Sequence, residues 1–496
     1  MTRATSLVLV FCGAAWAQSP VATVQISRVP QQGSVNKDYV GLSIQQSVAL
    51  SYFGTTNYAN NVLIQLLKNI GTGTLRIGGA AADYSCWNGE PAPNPSLCQY
   101  YLSSSDFDSW ANASAKSGWP LILGVNLVQN AWPGAPQYIE DEITMGIQPA
   151  LQNHHNAVLT AIEPGNELNL YKLNPSYRPP TYSVPDQAND LLSYINVFRA
   201  NSATKTITVA APAYFMTSPT TVTQSLDPLV ADVNTCSTCS TTNLGLVTLH
   251  EYPLSIANGN TITIGQLLSP TLDSGTEQIF NKAVTDMRNL YGLRMQIDET
   301  NSAQPDPGQP GVCDVQASAL WALDYMLDMA RLGTLRINLH IHDGSYYVPI
   351  AVTASGNGVY SNEVRPEYYA MYAIGPSKGL NFLPTTITST ANIRAYALSS
   401  CSTCATTVYI INKDLSASGQ VTIKLSTPAH SATYLELSAP SLSSYASDVT
   451  YGGVQFDNTT GLLTGTPRTT TVQPNADGSY TVILDFASAG ILTIQP

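Results

Sequence analysis

Two stretches of this chain end in a carboxylate placed to do chemistry. Residues 161–167 read Ala-Ile-Glu-Pro-Gly-Asn-Glu and residues 294–299 read Arg-Met-Gln-Ile-Asp-Glu; each is a strand-like run that stops at a glutamate, Glu167 and Glu299. Two carboxyl groups facing each other can break an acetal. One protonates the departing oxygen, and the other attacks the anomeric carbon or activates water. Asn166, beside Glu167, adds a neutral amide able to hold a sugar hydroxyl, typically at position 2. Glu163 lies four residues before Glu167, on the same strand face but lower, and reads as an ion-paired or supporting group. Asp298 precedes Glu299, so the period of two sends it to the opposite side. The plainer reading of Glu167, a surface glutamate at a helix start, competes with placement at a strand end, where barrel enzymes keep their chemistry.

Strands alternating with helices would position these groups. Strand-like segments fall at 39–44, 74–78, 120–125, 158–163, 206–210, 246–250, 294–298 and 334–339, and helix-like spacing at 60–67, 107–115, 138–151, 187–199, 276–290 and 317–332. Short apolar strands joined by helical crossovers predict parallel βα units and an eight-stranded (β/α)8 barrel. After about Pro376 helical periodicity stops, and Thr/Val/Ile/Leu runs broken by Ser, Gly, Pro and Asn predict an all-β sandwich. Residues 21–27 alternate apolar and polar, and this strand could join that sandwich. The organisation predicted is a signal peptide over 1–17, sandwich strand over 18–34, catalytic barrel over 35–375 and β-sandwich over 376–496.

Arg3, the apolar run from Leu7 to Ala15 and the Ala15-Trp-Ala17 site read as a secretory signal, with Gln18 as the mature start. The run is too short to span a bilayer, and no second candidate span follows, so a secreted, extracellular chain is expected. A net charge of -12, from 33 acidic and 21 basic residues, argues against a nucleic-acid backbone binder. Of the eight cysteines, Cys12 leaves with the signal. Cys86 with Cys98, Cys236 with Cys239, and Cys401 with Cys404 could each close a small loop, leaving Cys313 buried and inert. A zinc site is the rival for the two Cys-x-x-Cys pairs, but they lie far apart with no histidine nearby. Asn112 and Asn458 head possible glycosylation sequons.

In combination these residues resemble glycoside hydrolase family 79, which includes β-glucuronidases and heparanase-like enzymes. The resemblance rests on Glu299-Thr-Asn-Ser, the 311–321 segment with Asp324, residues 75–79 (Leu-Arg-Ile-Gly-Gly) with Asp83, Gly165-Asn-Glu167, His250-Glu-Tyr252 and residues 39–44. It implies a retaining mechanism without metal or organic cofactor. Glu299 would be the nucleophile and Glu167 the acid/base, about 5–5.5 Å apart. It implies a partner carrying terminal β-linked glucuronic or 4-O-methyl-glucuronic acid on a glycan or glycoside. Tyr346 looks like the family's tyrosine for the sugar carboxylate, and Tyr252 like the one near the nucleophile. Arg76 ends the second strand, where it could orient a catalytic carboxylate or form a structural ion pair. His340 and His342 top the last strand and could line the cleft. Ala80, Gln45 and Gln46 depart from the family pattern near the nonreducing end of the sugar, which bears on sugar identity more than on mechanism. The rivals are an endo-acting heparanase-like glucuronidase, disfavoured by so few basic residues, a β-glucosidase-like or β-xylosidase-like barrel, and an inactive carbohydrate-binding protein.

Overall fold

Eight parallel strands close into a barrel in the computed structural model, which describes residues 21–29, 33–234, 243–356, 358–426 and 430–496. In chain order the barrel strands are Val40–Gln45, Thr74–Gly78, Leu121–Val125, Leu159–Pro164, Thr208–Phe215, Leu246–Glu251, Arg294–Thr300 and Ile337–Ile341. Outward residues such as Leu42, Ile44, Leu75 and Ile77 are buried in the layer of surrounding helices. Inward residues divide by depth. Ile122, Ala161, Ala210, Leu246 and Leu335 form a separate apolar plug. Above it Ser43, Arg76, Glu163, His250 and Asp298 make a buried polar core. Among the described residues no helix is long and apolar enough to cross a membrane.

The helix between strands three and four is broken by a π turn over Glu142–Ile147, and the helix between strands five and six by another over Val222–Leu226. Each π turn is followed at the second position by a proline, Pro149 or Pro228. A proline ring collides with the carbonyl four residues back, and widening the preceding turn relieves the clash without ending the helix.

The first π turn also buries Glu142, whose Oε1 has no hydrogen-bond partner. Burial pushes this carboxyl up from the ordinary 4.5 to about 8. Between those values the folded state keeps a proton that the unfolded chain has released, so stability falls as pH rises through that window. Glu142→Gln is expected to flatten the decline. Its melting-temperature gain should be larger at pH 8 than at pH 4.5, equivalent to roughly 2–4 kcal/mol. Thermal melts across pH check this, and equal gains at both pH values would refute it.

The rest of the chain forms two facing sheets. Ala22–Ile26 pairs antiparallel with Thr385–Ser389 and parallel with Gly419–Leu425, which itself pairs with Tyr480–Leu484. The second sheet is built on Ile393–Ser399, Thr406–Asn412, Ser488–Ile494 and Ala432–Ser438. Val24, Ile26, Val408, Ile410, Val421 and Leu492 fill the space between them. The N-terminal strand therefore completes the C-terminal sandwich. Lys413, fully buried, ties sandwich to barrel: its Nζ donates to Asp273 at 2.6 and 2.7 Å and to Asp324 at 2.6 Å.

Two of the three expected cysteine pairs are disulfides: Cys86 is bonded to Cys98, and Cys401 to Cys404. Cys313 is free and buried, and burial raises its thiol to about 11. The third expected pair differs from these: Cys236 and Cys239 both lie outside the described residues, as does the expected signal segment. Asn112 is only 5% exposed, within the helix Ser104–Ser117, which leaves no room for a glycan and removes that expectation. Asn458 is exposed, with its Oδ1 accepting from the backbone N–H of Val364.

Candidate active site

Arg76 organises the upper barrel. Its Nε donates to Glu163 at 2.8 Å, Nη1 to Glu299 at 2.6 Å and to Ser43 at 3.1 Å, and Nη2 to Asn166 at 2.9 Å. A planar guanidinium presents donors in fixed directions, so one side chain from strand two orients groups from strands one, four and seven. Gly79 lets strand two end tightly over this fork. Its φ is +69°, and a Cβ there would lie 2.5 Å from Gln45 Oε1.

Glu299 is held at both oxygens, by Arg76 at Oε2 and by the Tyr252 hydroxyl at Oε1, 2.9 Å away. Burial alone would raise its carboxyl. His340, His250, Arg76 and the Tyr252 hydroxyl outweigh burial and bring it down to about 2. Burial also pushes His340 below its ordinary value, while the surrounding carboxylates keep Arg76 charged.

Glu167 projects from the turn after strand four. Its φ of 53° is left-handed, and its backbone N–H donates to Ala213, itself at φ 53°. Ala213 is anchored in turn by its N–H to Thr248 Oγ1 at 3.0 Å. Such backbone persists in non-glycine residues where surrounding contacts hold it, often at functional sites. Glu167 Oε1 lies 3.0 Å from His250 Nδ1, and His250 Nε2 lies 3.5 Å from Asp298.

Asp298 corrects the strand-period expectation. It does not point away from Glu299; both contact Arg76, at 3.8 and 2.6 Å. The pairing of strands six and seven slips at this point. Leu249 faces Ile297 and His250 faces Glu299, so Asp298 is the extra residue of a bulge. Burial, then the neighbouring Glu163 carboxylate, pushes Asp298 well above the usual range. Glu163, paired with Arg76, is held below its ordinary value, so of the two facing carboxyls Asp298 is the one that favours a proton. Asp298→Asn, which mimics the neutral acid, is expected to keep the melting temperature near wild type. Asp298→Leu should cost about 1–3 kcal/mol by stranding Glu163. Melting curves compare them, and equal losses in the two variants would sink the assignment.

A cavity of about 260 Å³ opens over these groups. Of the expected residues, Gln45, Asn166, Glu167, Tyr252, Glu299 and His340 line it, as does Ala80. Gln45 is fixed by accepting the Ala81 N–H at 2.9 Å, and Gln46 by donating to the Gly124 carbonyl at 3.0 Å. Three expectations change. Tyr346 is not in the cavity wall, whereas its neighbour Tyr347 is; Tyr347 donates to Asp306, which also lines the cavity. Asp83 lies behind the wall, 3% exposed, accepting from Tyr171 at 2.6 Å. Burial raises it to about 8. His342 bonds the Asp343 carbonyl and stays outside, so the His-x-His pair does not converge.

Phe215, Gln304, Asp306 and Tyr347 had no part in the sequence reading, and His250 entered it only within the His250-Glu-Tyr252 segment of the resemblance, with no role of its own. A signal existed for His250, which sits near the end of a barrel strand. The others lie at or beyond strand ends, where sequence carries no period.

The nearest oxygens of Glu167 and Glu299, with one His250 nitrogen, lie within 4.8 Å of one another. A metal ion held there would face the Arg76 guanidinium, 2.6 Å from Glu299, so the donor set suits proton transfer and nucleophilic attack better than metal binding.

Residues 395–491 match the glycosyl hydrolase family 79 C-terminal beta domain. A β-glucuronidase of Aspergillus niger is 24% identical over 352 residues, covering 67% of this chain and 63% of that protein. The match thus spans less than two thirds of the relative's length. Among solved structures, a 4-O-α-L-rhamnosyl-β-D-glucuronidase from Fusarium oxysporum superposes with a TM-score of 0.75 at 19% identity, over 95% of this chain and all of that one. A family 51 arabinofuranosidase from Xanthomonas axonopodis pv. citri gives 0.70 at 15% identity, over 96% of this chain and all of that one. These two likenesses establish the shared barrel-and-sandwich fold.

Proposed function

From the family-level match of this chain to glycoside hydrolase family 79, we propose that it is a secreted retaining exo-β-glucuronidase. It would release terminal β-linked glucuronic or 4-O-methyl-glucuronic acid by double displacement. The observation that carries the mechanism is the carboxylate pair within 4.8 Å, with Glu299 kept ionised by Arg76. One oxygen of each carboxylate thus lies near the other, a closeness that supports the roughly 5–5.5 Å spacing of retaining pairs over the about 6.5–9.5 Å of inverting ones.

In this reading Glu299 attacks the anomeric carbon while Glu167 gives its proton to the leaving oxygen. A glycosyl ester forms on Glu299. Glu167, now a base, takes a proton from the incoming water, whose oxygen replaces Glu299 at the anomeric carbon. Arg76 and Tyr252 hold both oxygens of the nucleophile, and His250 orients Glu167. Asn166 accepts from Arg76 at Oδ1, which leaves its amide N–H groups for a sugar hydroxyl. The sugar itself is inferred from the names of the Aspergillus niger and Fusarium oxysporum proteins.

One observation favours a second reading, a neutral hexose. Among the described residues no lysine or arginine lines the cavity, Asp306 does, and the Tyr252 and Tyr347 hydroxyls already donate to carboxylates. The deciding experiment compares hydrolysis of aryl β-D-glucuronide and aryl β-D-glucoside, with Glu299→Ala in parallel. Glucuronide cleavage lost in the variant is expected. Cleavage of the glucoside alone would replace the sugar and keep the mechanism, and full activity in Glu299→Ala would refute the nucleophile.

A further inference from the structure

The turn that carries Glu167 is held from three directions. The N–H of Gly165 donates to the Val125 carbonyl of strand three at 2.9 Å, and that of Glu167 to the Ala213 carbonyl of strand five at 2.9 Å. From behind, the Tyr171 hydroxyl lies against Gly165. At φ +77° this residue has no room for a side chain, since a Cβ there would come within 2.5 Å of the hydroxyl oxygen. The hydroxyl donates to Asp83 Oδ1 at 2.6 Å. Burial raises the Asp83 carboxyl, while the Tyr171 hydroxyl and the Asn166 backbone N–H draw it down, so Asp83 also faces the residue beside Glu167. The ring of Tyr171 is fixed as well. It stacks on Tyr182 with centres 6.2 Å apart, and the Arg178 guanidinium stands 5.6 and 5.4 Å from the two ring centres. Asp190 holds Arg178 at 3.0 and 2.7 Å.

Asp83 closes the short 3-10 turn Ala80–Asp83 that follows strand two. Strand two also carries Arg76, which donates to Glu299 at 2.6 Å. One stretch of chain, from Arg76 to Asp83, therefore reaches both carboxylates of the pair, the first directly and the second through Tyr171. We infer that Asp83 and Tyr171 are positioning residues for Glu167: their hydrogen bond fixes the turn so that the Glu167 carboxyl can deliver its proton to the leaving oxygen. The inference rests on the glycosidase reading above. Neither residue lines the cavity over Glu299, so both act from behind its wall. Glu167 and Ala213 both have left-handed backbone, a shape that persists only where its surroundings impose it. Proton delivery is sensitive to that shape, because donor and acceptor must come within hydrogen-bond reach, and a shift of about 1 Å can cost about 100-fold in rate.

Tyr171→Phe removes the hydroxyl and keeps the ring. The leaving group then distinguishes a positioning role from a structural one. 2,4-Dinitrophenolate departs without a proton, whereas phenolate needs one. The substrates compared are phenyl and 2,4-dinitrophenyl β-D-glucuronide, or the two glucosides if the glucoside is the one cleaved. Their kcat/KM covers the steps up to departure of the leaving group. For the phenyl glycoside it should fall about tenfold or more, while for the dinitrophenyl glycoside it stays within about threefold. Asp83→Ala should show the same split, and the double variant should lose no more than the worse single, since the two residues act as one device. A fold that is merely loosened lowers both substrates together. Equal losses on both substrates, no loss on either, or additive losses in the double variant overturn the inference.

Crystals of the wild type and of Tyr171→Phe separate this inference from the glycosidase reading. In the variant, Glu167 Oε1 should move by about 1 Å or more from its place 3.0 Å from His250 Nδ1. Glu167 unmoved in the variant would overturn the positioning role, whatever the protein hydrolyses. Glu167 displaced, in a protein whose wild type cleaves no aryl glycoside, would refute the glycosidase reading and keep the Asp83–Tyr171 pair as the support of the turn.

Discussion

Arg76→Leu is expected to reduce kcat by about 10²–10³-fold and to destabilise the fold by roughly 3–5 kcal/mol. The side chain is fully buried and is the cation shared by Glu163, Asp298 and Glu299. Without it the cluster must take up protons, and Glu299 is the costliest place for one, since the proposed nucleophile works as a carboxylate. The direction on pH follows. With Glu299 held at about 2, activity should persist on the acid side until near that value, as long as the fold does. Removing the cation raises the carboxyl, so the acid limb of kcat/KM moves to higher pH. Arg76→Lys retains a charge but loses the fork to Glu163, Glu299 and Asn166, and should recover stability more than rate. Melting curves and pH–rate profiles of the three proteins measure this. An unshifted acid limb in Arg76→Leu would refute the electrostatic role.

Lys413→Met has a comparable effect on stability and a small one on chemistry. Lys413 comes from the sandwich and sits between Asp273 and Asp324 of two barrel helices. Its loss leaves these partly buried carboxylates facing each other, a change expected to cost about 3–5 kcal/mol. The ammonium is remote from the cavity over Glu299, whose lining includes none of these three residues. Below its lowered melting temperature the variant should keep kcat within about twofold. Restoring the balance with Asp273→Asn in the same protein should recover part of the loss. Calorimetry of the single and double variants gives the coupling. Strict additivity of the two changes would rule out the shared network.

The sequence by itself determined the order of barrel and sandwich, and the strand ends at which Glu167 and Glu299 stand. These are periodic, local properties: apolar strands at regular spacing, helical crossovers, then the loss of helical period after about residue 376. The helices read at 187–199 and 317–332 occur as Val184–Ala200 and Gln316–Leu332. The helix from Asp227 went unread because Pro228 breaks its pattern, and a π turn that only the folded helix displays absorbs the proline. The inward turn of Asp298 was likewise illegible, because a bulge is set by the neighbouring strand and not by the sequence that carries it.

Loop residues follow the same logic. Tyr346 and Tyr347 are adjacent and chemically equal, and the path of the chain beyond strand eight alone selects Tyr347 for the cavity. Asp83 and Asn112 are polar side chains whose burial the local sequence does not signal; Asp83 meets Tyr171, far along the chain. Local pattern fixes which groups reach the top of the barrel. Their protonation and their partners come from contacts between strands far apart in the chain. Only the closed barrel brings Arg76, Glu163, Asp298 and Glu299 within reach of one another.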